Sequence, residues 1–178
     1  MLITTSELKA LYPEYEQFDD VLLKRKLEAI EQAIRVYTNN NFQNRAVRDV
    51  YYSRGNMLVG TDVETSFRIG DTVQITQDPK NDGIYVIEEI HGNAMTLDKE
   101  MFVSPNNLVT KVQYPLDVVE GAINILKWDM FDREKVGIAS ETISRHSVSY
   151  RAYDSTNTTN GYPSMLFGFC KPYMRART

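Results

Sequence analysis

The two histidines are the first residues of this 178-residue chain to consider for catalysis. His91 stands in a predicted hairpin turn, where an exposed structural position is expected. His146 lies between Ser144 and Ser147, with Glu141 five residues before it. A nucleophile needs a base within hydrogen-bond reach, but Ser–His pairs this close in sequence arise readily by chance. The histidines therefore predict no hydrolase.

The single cysteine and the paired acidic residues also predict no metal site. The single cysteine, Cys170, excludes an internal disulfide and a zinc site built from cysteines. Glu88 and Glu89 are adjacent on a predicted strand, so their carboxylates would point to opposite faces. Asp129 and Asp132 share a helix face, but basic neighbours indicate an ordinary solvated surface. We predict no enzyme activity, no cofactor and no metal.

Composition and charge indicate a soluble globular protein that does not hold nucleic acid tightly. Hydrophobic residues make up 42% and charged residues 25%, with a net charge of −4. No apolar run approaches the roughly 18 residues of a membrane span, and no secretion signal is evident at the N-terminus. Residues 54–100 carry nine acidic against four basic side chains. A nucleic-acid interface usually needs the opposite balance.

Two helices frame the chain. They are predicted over about 19–38 and 116–132, because apolar residues recur there at spacings of four and three, which place them on one helix face. The first stripe comprises Leu23, Leu27, Ile30, Ile34 and Tyr37. The second comprises Val119, Ile123, Leu126 and Met130, and it is broadened by Val118, Ala122 and Ile125. A capping box from Thr4 to Glu7 predicts a further short helix near the N-terminus.

The intervening residues 46–113 change to the alternation of β-strands. Turn residues interrupt this pattern at 78–83 and at 91–93, which predicts four to six short antiparallel strands. They form either a small barrel or an open meander. The predicted fold class is α+β: a small α-helical bundle from residues 1–45 and 114–178, with an inserted small antiparallel β-barrel or meander at 46–113.

A polar, extended segment follows the second helix at 137–153. It alternates large and small side chains, and we expect an arm that recognises another protein. The chain also contains eleven tyrosines, more than a core of this size requires. Tyrosine combines apolar area with a polar tip, which favours interfaces.

Two motifs resemble the head–tail connector family of tailed bacteriophages, the adaptor or head-completion proteins that form a ring beneath the portal. The first is Lys-x-Gly-Ile-x-Ser-Glu-x-Ile-x-x-x-Ser-Val-x-Tyr at 135–150, and the second is Lys-Pro-Tyr-x-Arg at 171–175. The resemblance covers about 1–45 and 114–178, roughly six-tenths of the chain. The inserted β segment departs from the compact helical members of the family.

The resemblance implies a structural protein of the virion neck that is assembled in the host cytoplasm. It implies a ring, commonly of twelve subunits, that binds the portal protein and a stopper or tail-completion protein and lets DNA pass without specific binding. It implies no membrane contact. The partner-binding residues expected from the arm and the C-terminal tail are Ser140, Glu141, Ile143, Arg145, Val148, Tyr150, Tyr173 and Arg175.

The alternative is a regulatory protein whose β segment binds peptide or nucleic acid. The runs Gly-Asp-x-Val-x-Ile at 70–75 and Asn-Asp-Gly-x-Tyr-x-Ile at 81–87 resemble small barrels of the KOW kind. The acidic balance of 54–100 and the lack of a row of stacking aromatics weigh against nucleic acid. Peptide binding remains open.

Overall fold

The computed structural model describes residues 2–133, 140–143, 146–149 and 158–176. The helices of these residues are α1 (Thr5–Leu11), α2 (Asp20–Thr38), α3 (Val63–Ser66) and α4 (Leu116–Lys127). The strands are β1 (Gln43–Val59), β2 (Thr72–Thr76), β3 (Gly83–His91), β4 (Ala94–Val112), β5 (Ser140–Ile143), β6 (His146–Ser149), β7 (Thr158–Thr159) and β8 (Tyr162–Pro163). Short 3₁₀ helices occur at Pro13–Tyr15 and Ser164–Tyr173, and α4 continues into a π-helical turn at Trp128–Asp132.

The chain divides into two compact units. The sheet unit comprises residues 40–114 and contains β1 to β4 with α3. The helical unit comprises Leu2–Asn39 together with the chain from Pro115 onward.

The sheet unit is a four-stranded antiparallel sheet organised by β4. Strand β4 pairs with β1 along most of its length, with β2 near its C-terminal end and with β3 near its N-terminal end. Because β2 and β3 also pair with each other, both ends of β4 are joined to the same hairpin, and the sheet curves. The curved sheet encloses a core formed by Tyr51, Leu58, Val63, Phe67, Val73, Ile75, Tyr85, Ile87, Met95, Leu97, Met101 and Val109.

Helix α2 begins where the sequence predicts it. The Asp19 carboxylate accepts hydrogen bonds from the amides of Val21 and Leu22, and the helix ends at Asn39 in a left-handed conformation. The apolar stripe faces the interior: Leu23, Leu27, Ile30 and Ile34 are buried.

Helix α4 packs with α2, and it buries Val118, Ala122 and Ile125, the residues predicted to broaden its apolar stripe. Its buried residues are Val118, Gly121, Ala122, Ile123, Ile125 and Leu126, whereas Val119 and Met130 are only half-buried. The short helix α1 starts with the predicted capping box, in which the Thr4 hydroxyl and the Glu7 carboxylate cap each other's amides.

The prediction of a bundle of long helices with an inserted barrel or meander is wrong. The structure is mixed α/β with a four-stranded antiparallel sheet, and its helices are short. Helix α4 has 12 residues, because the backbone changes to a π-helical turn at Trp128 instead of continuing as α-helix to Asp132. Within this turn Trp128 is buried and the Asp129 side chain is completely buried.

The strands are longer than predicted. Strands β1 and β4 have 17 and 19 residues, although they contain Gly55 and Pro105, which favour strand ends. The register of the β1–β4 ladder shifts on both sides of Gly55, whose φ is +61°, and shifts again between Tyr51 and Ser53, opposite Pro105. Bulges therefore absorb both residues without ending the pairing.

Among the described residues, no helix combines the length and the apolar character needed to cross a membrane.

Candidate partner-binding site

The predicted arm contains a β-hairpin. Strands β5 and β6 pair antiparallel, with Glu141 opposite Val148 and Ile143 opposite His146. The alternate pairs are Ser140 with Ser149 and Thr142 with Ser147, which carry only hydroxyl side chains. Neither strand pairs with another strand of the described part of the chain. The hairpin is therefore a two-stranded sheet whose successive pairs alternate in polarity.

Half of the predicted partner-binding residues lie on this hairpin. Ser140, Glu141 and Ile143 belong to β5, and Val148 belongs to β6. Arg145 and Tyr150 lie outside the described residues.

The C-terminal tail is bound to the helical unit through Tyr173. The Tyr173 hydroxyl donates to both carboxylate oxygens of Asp117, at 2.8 and 2.9 Å. The hydrogen bond to this carboxylate raises the pKa of Tyr173 above its ordinary value. Because Asp117 lies in the first turn of α4, the bond ties the tail to the start of that helix.

A second anchor holds the tail at the end of α2. The main-chain amide of Arg175 donates to the Thr38 carbonyl at 2.8 Å, and the Asn39 side chain donates to the Ala176 carbonyl at 2.9 Å. The Arg175 residue itself is exposed. The predicted tail site thus has a fixed main chain and an exposed guanidinium, whereas the Tyr173 hydroxyl is bound within the chain.

A buried charge cluster near the end of α4 was missed by the sequence analysis. The Asp129 side chain is completely buried and forms ion pairs with Lys26, at 2.6 Å, and with Arg133. The Arg133 guanidinium lies 6.0 Å from the ring centres of both Trp128 and Tyr162. The expectation that Asp129 forms a solvated surface is therefore wrong. Only its spacing of four residues from Arg133 could have signalled the pair.

The cluster keeps Asp129 ionised. Burial by itself raises the pKa of a carboxylate, but the hydrogen bonds from Lys26 and Arg133 outweigh it and hold the pKa of Asp129 below its ordinary value of 3.8. A carboxylate that is fully paired in this way connects α2 to α4 and is not poised for proton transfer.

A groove lies between α4 and the 3₁₀ helix Ser164–Tyr173. We call it the α4 groove. It has a volume of about 450 Å³ and is lined by Gly121, Asn124, Lys127, Trp128, Asp132, Met165, Leu166 and Phe169. Its lining is about equally polar and apolar, and it includes a cation, Lys127, as well as an anion, Asp132. Gly121 permits this shape, because a Cβ there would lie 2.3 Å from the Phe169 ring.

A second feature missed from the sequence is a buried polar network in the sheet unit. Ser53, Asn81 and Asn107 are completely buried. The Asn81 amide donates to the Asn107 side chain and to the main-chain carbonyl of Phe102, both at 2.9 Å. The side-chain carbonyl of Asn81 accepts a hydrogen bond from the Phe102 main-chain amide at 2.8 Å. The sequence predicts only a turn at 78–83, and a single amide in a charged loop is too weak a signal for burial.

The chemically reactive residues have structural positions. Cys170 is buried, and burial raises the pKa of its thiol to about 12, so it stays protonated at neutral pH. His91 is exposed beside Glu89, as predicted. Within the described ranges, no group of three or more His, Cys, Asp or Glu residues is placed to hold a metal ion.

The chain matches no protein-family model, and no curated protein is significantly similar to it.

Proposed function

We propose that this chain is a head–tail connector subunit of a tailed bacteriophage, a structural protein of the adaptor kind with no catalytic role. It forms a ring below the portal, joins the capsid to the tail and lets DNA pass. The observation that carries this proposal is the β5–β6 hairpin, which pairs with no further strand of the described residues. It occupies the segment whose sequence resembles the connector family.

A two-stranded hairpin is a suitable recognition element. Two strands alone are marginally stable in water, and their outer edges hold main-chain donors and acceptors that a partner strand can pair with. The alternation between the hydroxyl-only pairs and the pairs that contain Ile143 or Val148 supplies a pattern of side chains that can select the partner. In this proposal the portal protein is the partner of the hairpin.

The tail supplies a second contact. Its main chain is bound at the C-terminal end of α2, its Tyr173 side chain is bound at the start of α4, and Arg175 remains exposed. A guanidinium on a fixed backbone suits a carboxylate on the partner, because its fork of donors binds carboxylates through two hydrogen bonds. We assign this contact to the stopper or tail-completion protein.

The charge of the chain fits a conduit for DNA. A net charge of −4 gives a ring that does not retain phosphates, whereas many phosphate contacts would add up to tight binding. In this proposal the protein assembles in the host cytoplasm and ends in the neck of the virion. Duplex DNA should not be shifted in a gel at about 0.15 M salt.

The test uses the portal protein of the phage that encodes the chain. Ile143→Asp with Val148→Asp places charges on the apolar-containing pairs of the hairpin, and Thr142→Asp with Ser147→Asp places the same charges on one hydroxyl-only pair. We expect the first variant to lose co-sedimentation with portal rings and the second to retain it. If neither the wild type nor the variants bind portal rings, or if both variants bind as the wild type does, the proposal fails.

A second candidate function is peptide binding by the sheet unit. Strand β1 pairs with β4 on one side and with no other strand among the described residues. Its exposed residues include Val50, Tyr52, Met57 and Val59. An extended peptide could add to such an edge as a further strand. A monomeric protein that fails to bind portal rings but captures extended peptides from a library would favour this function.

A further inference from the structure

One face of the 3₁₀ helix Ser164–Tyr173 runs from the interior of the helical unit to its surface. Phe167, Cys170 and Tyr173 are three residues apart, and side chains at this spacing lie above one another in a 3₁₀ helix. Phe167 and Cys170 are completely buried, whereas Tyr173 is half-buried. Cys170 is therefore the last buried residue of the described chain, and Tyr173 is the next residue on the same face.

The tail beyond Cys170 is held at the surface. We call residues 171–176 the strap; all of them are exposed except the half-buried Tyr173. The strap is held by the Tyr173–Asp117 bond and by the two hydrogen bonds at the end of α2. Hydrogen bonds between exposed groups contribute little net stability, because water replaces each partner. The strap should therefore open far more often than the whole chain unfolds.

The main chain is weakly held where the strap leaves the helix. Pro172 lies inside the 3₁₀ helix and has no amide hydrogen to donate to the preceding turn. The following turn closes with a long hydrogen bond, from the Met174 amide to the Lys171 carbonyl at 3.4 Å. Opening can therefore begin at Pro172 and leave Phe167 in place, with its ring centre 5.1 Å from that of Tyr37.

Asp117 links the strap to Cys170. Its carboxylate accepts from the Tyr173 hydroxyl, and it also acts on the thiol: burial, followed by the negative charge of Asp117, raises the pKa of Cys170 to about 12. The thiolate is the reactive form of cysteine, so a buried thiol of this kind is unreactive near neutral pH. The reactivity of Cys170 should therefore report whether the strap is closed.

We propose that the strap opens and closes in the folded protein, that the Tyr173–Asp117 bond keeps it closed, and that opening gives solvent access to Cys170. The closed strap holds Arg175 on a fixed main chain, and the open strap releases it. The equilibrium therefore sets the fraction of molecules whose tail is ready to bind a partner of fixed shape. The opening does not depend on the connector function; only the identity of that partner rests on it.

Modification of Cys170 by dithionitrobenzoate tests the strap without an engineered cysteine. The thiolate attacks the reagent, forms a mixed disulfide and releases thionitrobenzoate, whose absorbance gives the rate. Tyr173→Phe should accelerate the reaction about ten-fold, because it removes a hydrogen bond to a charged acceptor. The matched control is Tyr12→Phe, which removes a tyrosine–carboxylate bond of the same kind, to Glu120 on α4, outside the strap. This control should change the rate less than about two-fold.

A second pair of variants tests the main-chain bond at the end of α2. Arg175→Pro removes the amide that donates to Thr38, whereas Arg175→Ala retains it. Met174, at φ −65° and ψ 134°, already has the backbone conformation that a following proline requires. Arg175→Pro should accelerate the modification about five-fold, and Arg175→Ala should react as the wild type does.

Urea distinguishes opening of the strap from unfolding of the chain. Opening of the strap exposes little surface, so the rate in the wild type should barely change with urea below the unfolding transition. A rate that rises steeply with urea in this range overturns the proposal. Equal acceleration by Tyr173→Phe and Tyr12→Phe overturns it as well.

The stopper or tail-completion protein of the phage that encodes the chain distinguishes this inference from the proposed function. If it binds the closed strap, its addition should slow the modification of Cys170. If the strap variants behave as expected but this protein leaves the rate unchanged, the opening stands and the partner assigned to Arg175 is wrong. If it slows the modification but neither Tyr173→Phe nor Arg175→Pro accelerates it, the strap proposal fails and the partner assignment stands.

Discussion

The hydroxyl of Tyr173 is bound to both carboxylate oxygens of Asp117, a residue 56 positions earlier in the chain. Because Asp117 lies in the first turn of α4, this bond fixes the end of the 3₁₀ helix Ser164–Tyr173 against the start of α4. Two residues later the Arg175 amide binds the last carbonyl of α2. The tail therefore joins the ends of two helices that are distant in sequence.

Removing this bond should loosen the tail. In Tyr173→Phe we expect the Arg175 amide, which donates to Thr38, to exchange its hydrogen faster than in the wild type. Hydrogen exchange measured by mass spectrometry on the C-terminal peptide detects the change. Tyr52→Phe, at an exposed position of the sheet unit, serves as the control and should leave this exchange unaltered. Equal exchange in the wild type and in Tyr173→Phe would show that the bond does not anchor the tail.

Removing the hydroxyl groups of two buried tyrosines, Tyr15 and Tyr51, should change the free energy of unfolding in opposite directions. No described group accepts a hydrogen bond from the Tyr15 hydroxyl, whereas the Tyr51 hydroxyl donates to the Thr61 carbonyl at 3.2 Å. At pH 7, Tyr15→Phe should leave the free energy of unfolding unchanged or raise it by up to about 1 kcal/mol. Tyr51→Phe should lower it by about 1 kcal/mol, because the Thr61 carbonyl loses its partner. Urea denaturation of both variants measures the difference.

The same two residues predict a loss of stability at high pH. Burial raises the pKa of Tyr15 and of Tyr51 from 10.0 to about 12, so the folded state holds these protons more tightly than the unfolded state. Their contribution is complete below pH 10 and is lost as the pH rises through about 12. Tyr15→Phe should lose less stability than the wild type between pH 10 and pH 11.5. An identical decline in both proteins would contradict this.

Because of the Asp129 cluster, the protein should become less stable at acidic pH. The pKa of Asp129 is lowered in the folded state, so its contribution is present above an unfolded pKa of 3.8 and is lost as the pH falls through the folded value. At pH 7, Asp129→Ala should lower the free energy of unfolding by about 3 kcal/mol, because it leaves Lys26 and Arg133 without their shared partner.

A matched pair on α2 separates this cluster from general effects of charge. Lys26→Met removes a partner of Asp129, whereas Lys24→Met removes an exposed cation two residues away. Only Lys26→Met should destabilise the protein and make it more sensitive to acid in thermal denaturation. Equal effects of the two substitutions would mean that the buried ion pair contributes nothing specific.

The parts of the fold that could be predicted from the sequence are those whose signals lie within one short segment of the chain. Helix α2 could be predicted because its N-cap Asp19 and its apolar stripe are encoded within one segment. The lengths of β1 and β4 could not, because bulges at Gly55 and opposite Pro105 depend on the partner strand. The burial of Asp129 depends on Lys26, 103 residues earlier in the chain, and periodicity carries no information about such a pairing.

For the candidate site, too, only the local backbone structure could be predicted from the sequence. The alternation in the arm predicted extended backbone, and strands β5 and β6 occupy that segment. The α4 groove and the exposure of Phe102 were not predicted, because each depends on tertiary packing. In the tail, the sequence does not show that Arg175 is exposed whereas the Tyr173 hydroxyl is hydrogen-bonded. The bond of Tyr173 depends on Asp117, which lies 56 residues earlier in the chain.

The contact between Gly121 and Phe169 predicts a strongly non-additive pair of substitutions. A Cβ on Gly121 would lie 2.3 Å from the Phe169 ring, so Gly121→Ala should destabilise the protein by about 1 to 3 kcal/mol despite the better helix propensity of alanine. In a Phe169→Ala background, the same substitution should be neutral or stabilising by up to about 1 kcal/mol. Thermal denaturation of the four proteins of this cycle gives the coupling. Additive effects would show that the ring moves away at no cost.

Substitutions at the buried Asn81 should destabilise the protein. Asn81→Ala leaves the Phe102 amide and the Asn107 side chain without their partner in the interior, and should lower the free energy of unfolding by about 3 kcal/mol. Asn81→Asp should cost more, because it replaces a donor by a carboxylate that faces the Phe102 carbonyl and the Asp78 carboxylate. Asn106→Asp, which adds the same charge at an exposed position one residue from Asn107, should have little effect. Urea denaturation ranks the three variants, and hydrogen exchange of the Phe102 amide reports whether the Phe102 main chain has lost its hydrogen bond to residue 81. If Asn81→Asp were as stable as Asn106→Asp, the network would not hold the Phe102 main chain.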